Sequence, residues 1–184
     1  MHKEYKTQNL ILKSIDKTYT EQVLDYYFRN KDYLKEWEPI KHEEFYTRSF
    51  QEKQIEKELD SISNGTSLRL WIFKKHDDSK IIGSIAFNNI VRGAFQSCHL
   101  GYKLDKDEIN NGYMTEAIQK GIEIMFAEFK LHRIEANIMP RNVASLKVVE
   151  KLGFYNEGLA YKYLKINGNW EDHIHMVLLN DESN

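Results

Sequence analysis

Four residues ahead of a long helical pattern, Asn110-Asn111-Gly112-Tyr113, are of types that suit anion binding. Gly112 lets the backbone turn tightly and leaves no Cβ in the way of a ligand. Met114, Ile118, Ile122, Met125, Phe126 and Phe129 then repeat at helical spacing, so the turn opens a helix with one buried face. The first amides of a helix have no internal partners and lie at the positive end of its dipole. Such a junction suits a pyrophosphate, although a glycine before a helix is by itself more often just a turn. A second polar pair lies downstream, where Asn142 and Ser145 stand at the start of a short helix. Asn142 is a natural N-cap, and Ser145, one turn on, points the same way.

The elements that must hold these residues follow from periodicity. Thr7 to Ile15 reads as a first strand, and Asp16 to Asn30 as a helix with Val23, Leu24, Tyr27 and Phe28 as its buried stripe. Lys31 to Pro39 reads as short and irregular, stopped by Pro39. Glu43 to Ser63 is a second helix with Ile55, Leu59 and Ile62 inward, ended by Asn64-Gly65. The period then changes: Leu68 to Lys74, Lys80 to Ile90 and Phe95 to Leu104 read as an antiparallel meander. The long helix follows, ending near Lys130, then a strand from Arg133 to Met139 and a short helix from Asn142 to Leu152 stopped by Gly153. Gly158 to Ile166 and Trp170 to Leu179 form a hairpin around Asn167-Gly168. The result is an α/β (α+β) fold, read as one domain over residues 1–184.

Composition narrows the class. The chain is 41% hydrophobic and 29% charged, with a net charge of −2, so nothing suggests bulk attraction to nucleic acid or an anionic membrane. Any phosphate must therefore be held by a local site. The single cysteine, Cys98, excludes an intrachain disulfide and a cysteine-based zinc cluster. No apolar run approaches a membrane span, and the N-terminus lacks a signal-peptide apolar region, so a cytoplasmic protein is expected. His2, His42, His76, His132 and His175 show no partner pattern that suggests a metal.

The stretch NNGYMTEA resembles the pyrophosphate loop of the GCN5-related N-acetyltransferases (GNAT), usually Gln/Arg-x-x-Gly-x-Gly/Ala before a helix. Met139-Pro140-Arg141-Asn142-Val143-Ala144-Ser145, followed by Glu150-Lys151-Leu152-Gly153-Phe154, is similar to that family's second cofactor motif. Together they resemble the RimJ/RimL-like branch, the ribosomal-protein N-terminal acetyltransferases. The resemblance implies a GNAT fold: a mixed, mostly antiparallel sheet with helices on both faces and a splayed cofactor cleft. It implies acetyl-CoA as co-substrate, no metal, and direct attack of an amine on the thioester in a ternary complex. The pyrophosphate would be gripped by the amides of Asn110, Asn111, Gly112, Tyr113, Met114 and Thr115. The pantetheine arm would bond to the backbone at Tyr102 and Leu104, as an added strand. Ile109 replaces the family's Gln or Arg, and Met114 its commoner Gly or Ala; amides do not depend on side-chain identity, so only one side-chain donor is lost.

The same resemblance assigns Asn142 to a hydrogen bond with the pantetheine. It places Ser145 near the sulfur, as the group that protonates the leaving thiolate; Tyr155, Tyr161 and Tyr163 stand as rival acids. Relatives carry a glutamate near His99, which makes His99 the expected base, directly or through water. Its rival reading is a hydrogen-bonded structural histidine. Alternation sets Cys98, Leu100, Tyr102 and Leu104 on one face and Ser97, His99, Gly101 and Lys103 on the other; a bulge in this strand would point to Cys98 instead. Glu171, Asp172 and His173, just past the hairpin turn, read as exposed strand-start residues. Leu34 and Trp37 either cap the core or border the acceptor site. Glu36, Glu38, Glu43 and Glu44 read mainly as a solvated charge run near the acceptor entrance. The acceptor is expected to be a protein N-terminal α-amine. A polyamine, aminoglycoside or amino-acid derivative is the alternative within the class, and a non-catalytic acyl-CoA sensor the alternative outside it. Oligomeric state, a homodimer or otherwise, is not legible.

Overall fold

The computed structural model describes residues 3–181, so His2 lies outside the described residues. Strands β1 (Glu4–Lys6) and β2 (Leu10–Lys13) lead into α1 (Thr20–Arg29), the short α2 (Lys31–Lys35) and α3 (Arg48–Ser63). Then come β3 (Leu68–Lys74), β4 (Asp77–Val91), β5 (Ser97–Leu104) and α4 (Tyr113–Ala127). The chain closes with β6 (Arg133–Ile138), α5 (Val143–Lys151), β7 (Tyr155–Ile166) and β8 (Asn169–Leu179). All eight strands form one sheet in the order β1-β2-β3-β4-β5-β6-β8-β7.

Alternation along β3 sends side chains to two cores. Leu68, Leu70 and Ile72 join a cluster with Met114, Ile118, Ile122 and Met125 of α4, while Trp71 and Phe73 join Val23, Tyr26 and Tyr27 of α1 and Ile55 of α3. Helices therefore cover both faces, as expected of this α/β fold. At Gly121 of α4 a Cβ would lie 2.6 Å from the Phe87 ring on β4. Only a glycine lets the helix approach the sheet so closely.

Local chemistry accounts for the differences from the sequence reading. The first strand is broken in two, because the Thr7 hydroxyl accepts from the Leu10 amide at 3.0 Å and folds the chain into a turn. Residue Phe28 is exposed and Tyr26 is buried in its place, because α1 packs against both α3 and β4 and buries a wider arc than one stripe. Residues 31–35 are helical rather than irregular. The second long helix starts at Arg48, not Glu43, since the Thr47 side chain caps it by accepting from the Phe50 amide; Glu43–Tyr46 is a separate 3-10 turn. The third meander strand begins at Ser97, leaving Phe95 exposed.

The sheet is antiparallel except between β5 and β6, which run parallel and pair at only three positions: Ser97 with Arg133, Cys98 with Ile134 and His99 with Glu135. Beyond His99, β5 stays paired with β4 as far as Leu104, and β6 stays paired with β8 as far as Ile138. The two halves of the sheet thus separate, and the β5 backbone from Leu100 to Leu104 has no β6 partner on that side.

Candidate active site

The separation opens a cavity of about 590 Å³. One wall is β5 at Tyr102, Lys103 and Leu104; the opposite wall is α5 at Asn142, Ser145 and Val148. Its floor is the start of α4, where Asn110, Gly112, Tyr113, Met114 and Thr115 line it. Gly112 is the N-cap residue of α4 with φ of 78°, a left-handed conformation that suits glycine, and nothing lies within 4 Å of where its Cβ would be. No side chain caps α4, which leaves its first amides facing this space. Of the residues expected to grip a pyrophosphate, all but Asn111 line the cavity; the Asn111 side chain turns back to the Glu108 carbonyl at 3.3 Å.

The loop is fixed from behind by ion pairs that the sequence reading did not single out. Asp105 is fully buried at the end of β5, where it accepts from Arg29 Nε at 2.7 Å and lies 3.4 Å from Lys80. Burial opposes its ionisation, but the bonds from Arg29 and the Asp107 amide prevail and hold its carboxyl below the usual range. Asn30 adds a side-chain acceptor for the Lys106 amide at 2.9 Å.

Asn142 acts as the N-cap of α5, accepting from the Ser145 amide at 3.1 Å. The Ser145 hydroxyl reaches across the gap to the Tyr102 hydroxyl at 2.5 Å, and Tyr102 donates to the Ser145 carbonyl at 3.0 Å. Burial pushes the Tyr102 phenol well up, so it stays protonated. Tyr102 is thus the tyrosine that meets Ser145, through its side chain. Tyr155 and Tyr161 are exposed, and Tyr163 sits against His173 and His175.

A second cavity of about 260 Å³ adjoins the first and shares Trp37, Glu38, Tyr102, Lys103, Asn142 and Ser145 with it. Glu38 is no solvated charge. It is ion-paired with Lys103 at 2.6 Å and Lys41 at 3.6 Å; burial opposes its ionisation, but the two lysines still depress its pKa. Arg141 bridges Glu36 at 2.8 Å and Glu171 at 3.2 Å and lies over the Trp37 ring, tying the segment after α2 to the α5 loop and β8. Leu34 is buried and Trp37 lines both cavities, so this segment is a wall of the site as well as a cap on the core.

His99 lines neither cavity. It sits where β5 and β6 are still paired, with Nε2 3.4 Å from Glu135 and Nδ1 3.4 Å from the Asn89 side chain. The bulge lies not in β5 but in β4, around Asn89, so the alternation of β5 holds. Cys98 is consequently in the core, and burial pushes its thiol up to about 12. His173 reverses expectation: it is 3% exposed and lines the second cavity. The sequence signal was hidden because the turn that precedes it suggested an exposed strand start, whereas β8 lies between β6 and β7. Among the described residues, no group of three or more His, Cys, Asp or Glu side chains is placed to hold a metal ion, and no helix is long and apolar enough to cross a membrane.

Residues 9–155 match the family model described as an acetyltransferase (GNAT) domain. The "Probable N-acetyltransferase YjcK" of Bacillus subtilis (strain 168) is 37% identical over 177 residues, 96% of this chain and 97% of that one. The "[Ribosomal protein uS5]-alanine N-acetyltransferase" of Escherichia coli (strain K12) is 34% identical over 168 residues, 91% of this chain and 86% of that one. Among solved structures, the ribosomal-protein-S5-alanine acetyltransferase of Vibrio fischeri superposes with a TM-score of 0.93 at 33% identity, covering 99% of both chains.

Proposed function

The chain belongs to the GNAT acetyltransferase family, and from that premise we propose that it acetylates the α-amino group of a protein N-terminus that begins with a small residue such as alanine. It is an acetyl-CoA-dependent N-acetyltransferase. The observation that carries the finer reading is the meeting of two cavities at the Ser145–Tyr102 pair, beside a strand edge left without a partner.

Each part of the larger cavity matches one need of acetyl-CoA. The amides of Asn110, Gly112, Tyr113, Met114 and Thr115 offer donors for a pyrophosphate at the positive end of α4. The free edge of β5 offers the amides and carbonyls of Tyr102 and Leu104 to the two amide groups of a pantetheine arm, as a strand would. That arm then ends near Ser145, which supplies a proton to the sulfur as it leaves. A β5 backbone N–H directed at the thioester carbonyl stabilises the oxyanion. The Asn142 side chain is taken up by its cap, so its part is to hold α5 and Ser145 in place, with its amide nitrogen left for the arm.

The acceptor enters from the smaller cavity. A volume of about 260 Å³ has room for a terminal amine and a short side chain, which agrees with an acceptor of the kind named for the Escherichia coli relative. The test is mass spectrometry of synthetic peptides incubated with acetyl-CoA, with first residues Ala, Ser, Leu and Lys, against a set of small amines. Acetylation at the α-amine, greatest for Ala, is expected. Turnover only with small amines, or none with any amine, overturns the acceptor assignment.

A further inference from the structure

We propose that His173 is the general base that takes the proton from the acceptor amine, through its Nε2. This rests on the reading above that the acceptor enters the smaller cavity. The tautomer follows from one contact: Nδ1 lies 3.0 Å from the Glu171 carbonyl oxygen, which can only accept. Nδ1 therefore carries the hydrogen, and in the neutral ring the lone pair is on Nε2. The Ser145–Tyr102 pair lines the same cavity as His173, so the proposed base and acid open onto one space.

The surroundings favour the neutral ring. Burial lowers the His173 pKa, and the neighbouring His175 lowers it further, against the opposing pull of Glu171 and Asp172 on its own strand. From β7 the Tyr163 ring packs on it, with centroids 5.6 Å apart, and Ala160 is its strand partner. Across the cavity stand Lys103 and Arg69, each already paired, with Glu38 at 2.6 Å and Glu58 at 2.9 Å. A neutral imidazole at pH 7 can accept at once. The α-ammonium gives one proton to Nε2, which passes it to water. The free amine then forms the C–N bond as the C–S bond breaks. The sulfur leaves as a thiol with the Ser145 proton, which the proton shed by the nitrogen replaces.

The test compares kcat against pH for wild type and His173→Asn, using an alanine-initiated peptide and saturating acetyl-CoA. Asparagine keeps a side-chain N–H for the Glu171 carbonyl and removes the base. The expected result is a kcat about 10²-fold or more lower at pH 6.5, the range of general-base contributions. The deficit should close above the amine's pKa of about 8, with CoA affinity by calorimetry within about twofold. In His173→Ala, added imidazole should restore rate in proportion to its neutral form, a response that a packing role would not give. Parallel pH profiles, or no imidazole rescue, overturn the proposal; so does a pH effect of this kind in His99→Gln with none in His173→Asn. A wild-type enzyme that ignores the peptide N-terminus sinks the acceptor reading instead, and the same pH comparison on the amine it does acetylate still decides His173.

Discussion

At the scale of single residues, the Ser145–Tyr102 contact makes a prediction that neither residue makes alone. Ser145 donates into a phenol that burial keeps protonated, so each hydroxyl orients the other. Ser145→Ala should lower kcat by about 10²-fold, the lower end of general-acid effects. CoA affinity should fall by no more than one lost hydrogen bond, about 0.5–1.5 kcal/mol. Tyr102→Phe should lower kcat by a similar factor, and the double variant should be scarcely worse than either single one, as for groups that act as a unit. Stopped-flow turnover with calorimetry in parallel measures both quantities; additive losses would mean that the pair does not act together. Gly112→Val is the matching probe of the loop. The space there is open to the cavity, so the damage comes from blocking the pyrophosphate and from a left-handed φ that costs an L residue about 1–2 kcal/mol. CoA binding should be severely weakened while the melting temperature falls only modestly.

At the scale of elements, the loop before α4 owes its shape to charges far away in sequence. Asp105 is held by Arg29 and Lys80, and its folded pKa is depressed. A carboxylate with a depressed pKa stabilises the fold above its unfolded value, about 3.9, and loses that contribution as pH falls through the lower folded value. The melting-temperature gap between wild type and Asp105→Asn should therefore be full at pH 6 and shrink below pH 4; a gap constant down to pH 3 would show that Arg29 contributes no charge stabilisation there. This anchor also marks what a sequence can and cannot disclose. The strand, loop and helix around Gly112 were legible because periodicity and turn residues are local signals. So was the hairpin at Asn167-Gly168, where both residues have positive φ. Arg29 and Asp105 were not, because no local rule pairs residues 76 apart. Tyr102 was read for its backbone alone, since its partner Ser145 is brought to it only by the splay of β5 from β6. His173 was misplaced for the same reason: its burial depends on which strand flanks β8, and hairpin pattern is silent on that.

At the scale of the whole molecule, the proposed peptide acceptor rests on what the smaller cavity lacks among the described residues, an acidic lining residue without a cationic partner. Its Glu38 is paired with both Lys103 and Lys41, and the Glu58 beside it is taken by Arg69. A polyamine brings several ammonium groups and needs carboxylates that are not already neutralised; with Glu38 shared between two lysines, this wall has none to spare. A peptide N-terminus brings one amine that is uncharged once it has given up its proton. The amines differ in cost as well as in fit. An α-amine has a reference pKa of about 7.7–8.0 and a lysine-type amine about 10.4, so deprotonating the second at neutral pH costs about 3 kcal/mol more, at ~1.36 kcal/mol per unit. Two disadvantages thus fall on the polyamine, one in binding and one in chemistry. An alanine-initiated peptide should exceed spermidine in kcat/KM by at least about 10²-fold at pH 7, with the margin narrowing as pH rises toward 10. Removing the cavity's one acidic wall residue, as in Glu38→Gln, would leave Lys103 unpaired and should weaken both acceptors without reversing their order. Competition assays across pH decide it, and a spermidine preference at pH 7 would mean that charge compensation in this cavity does not govern the choice of amine.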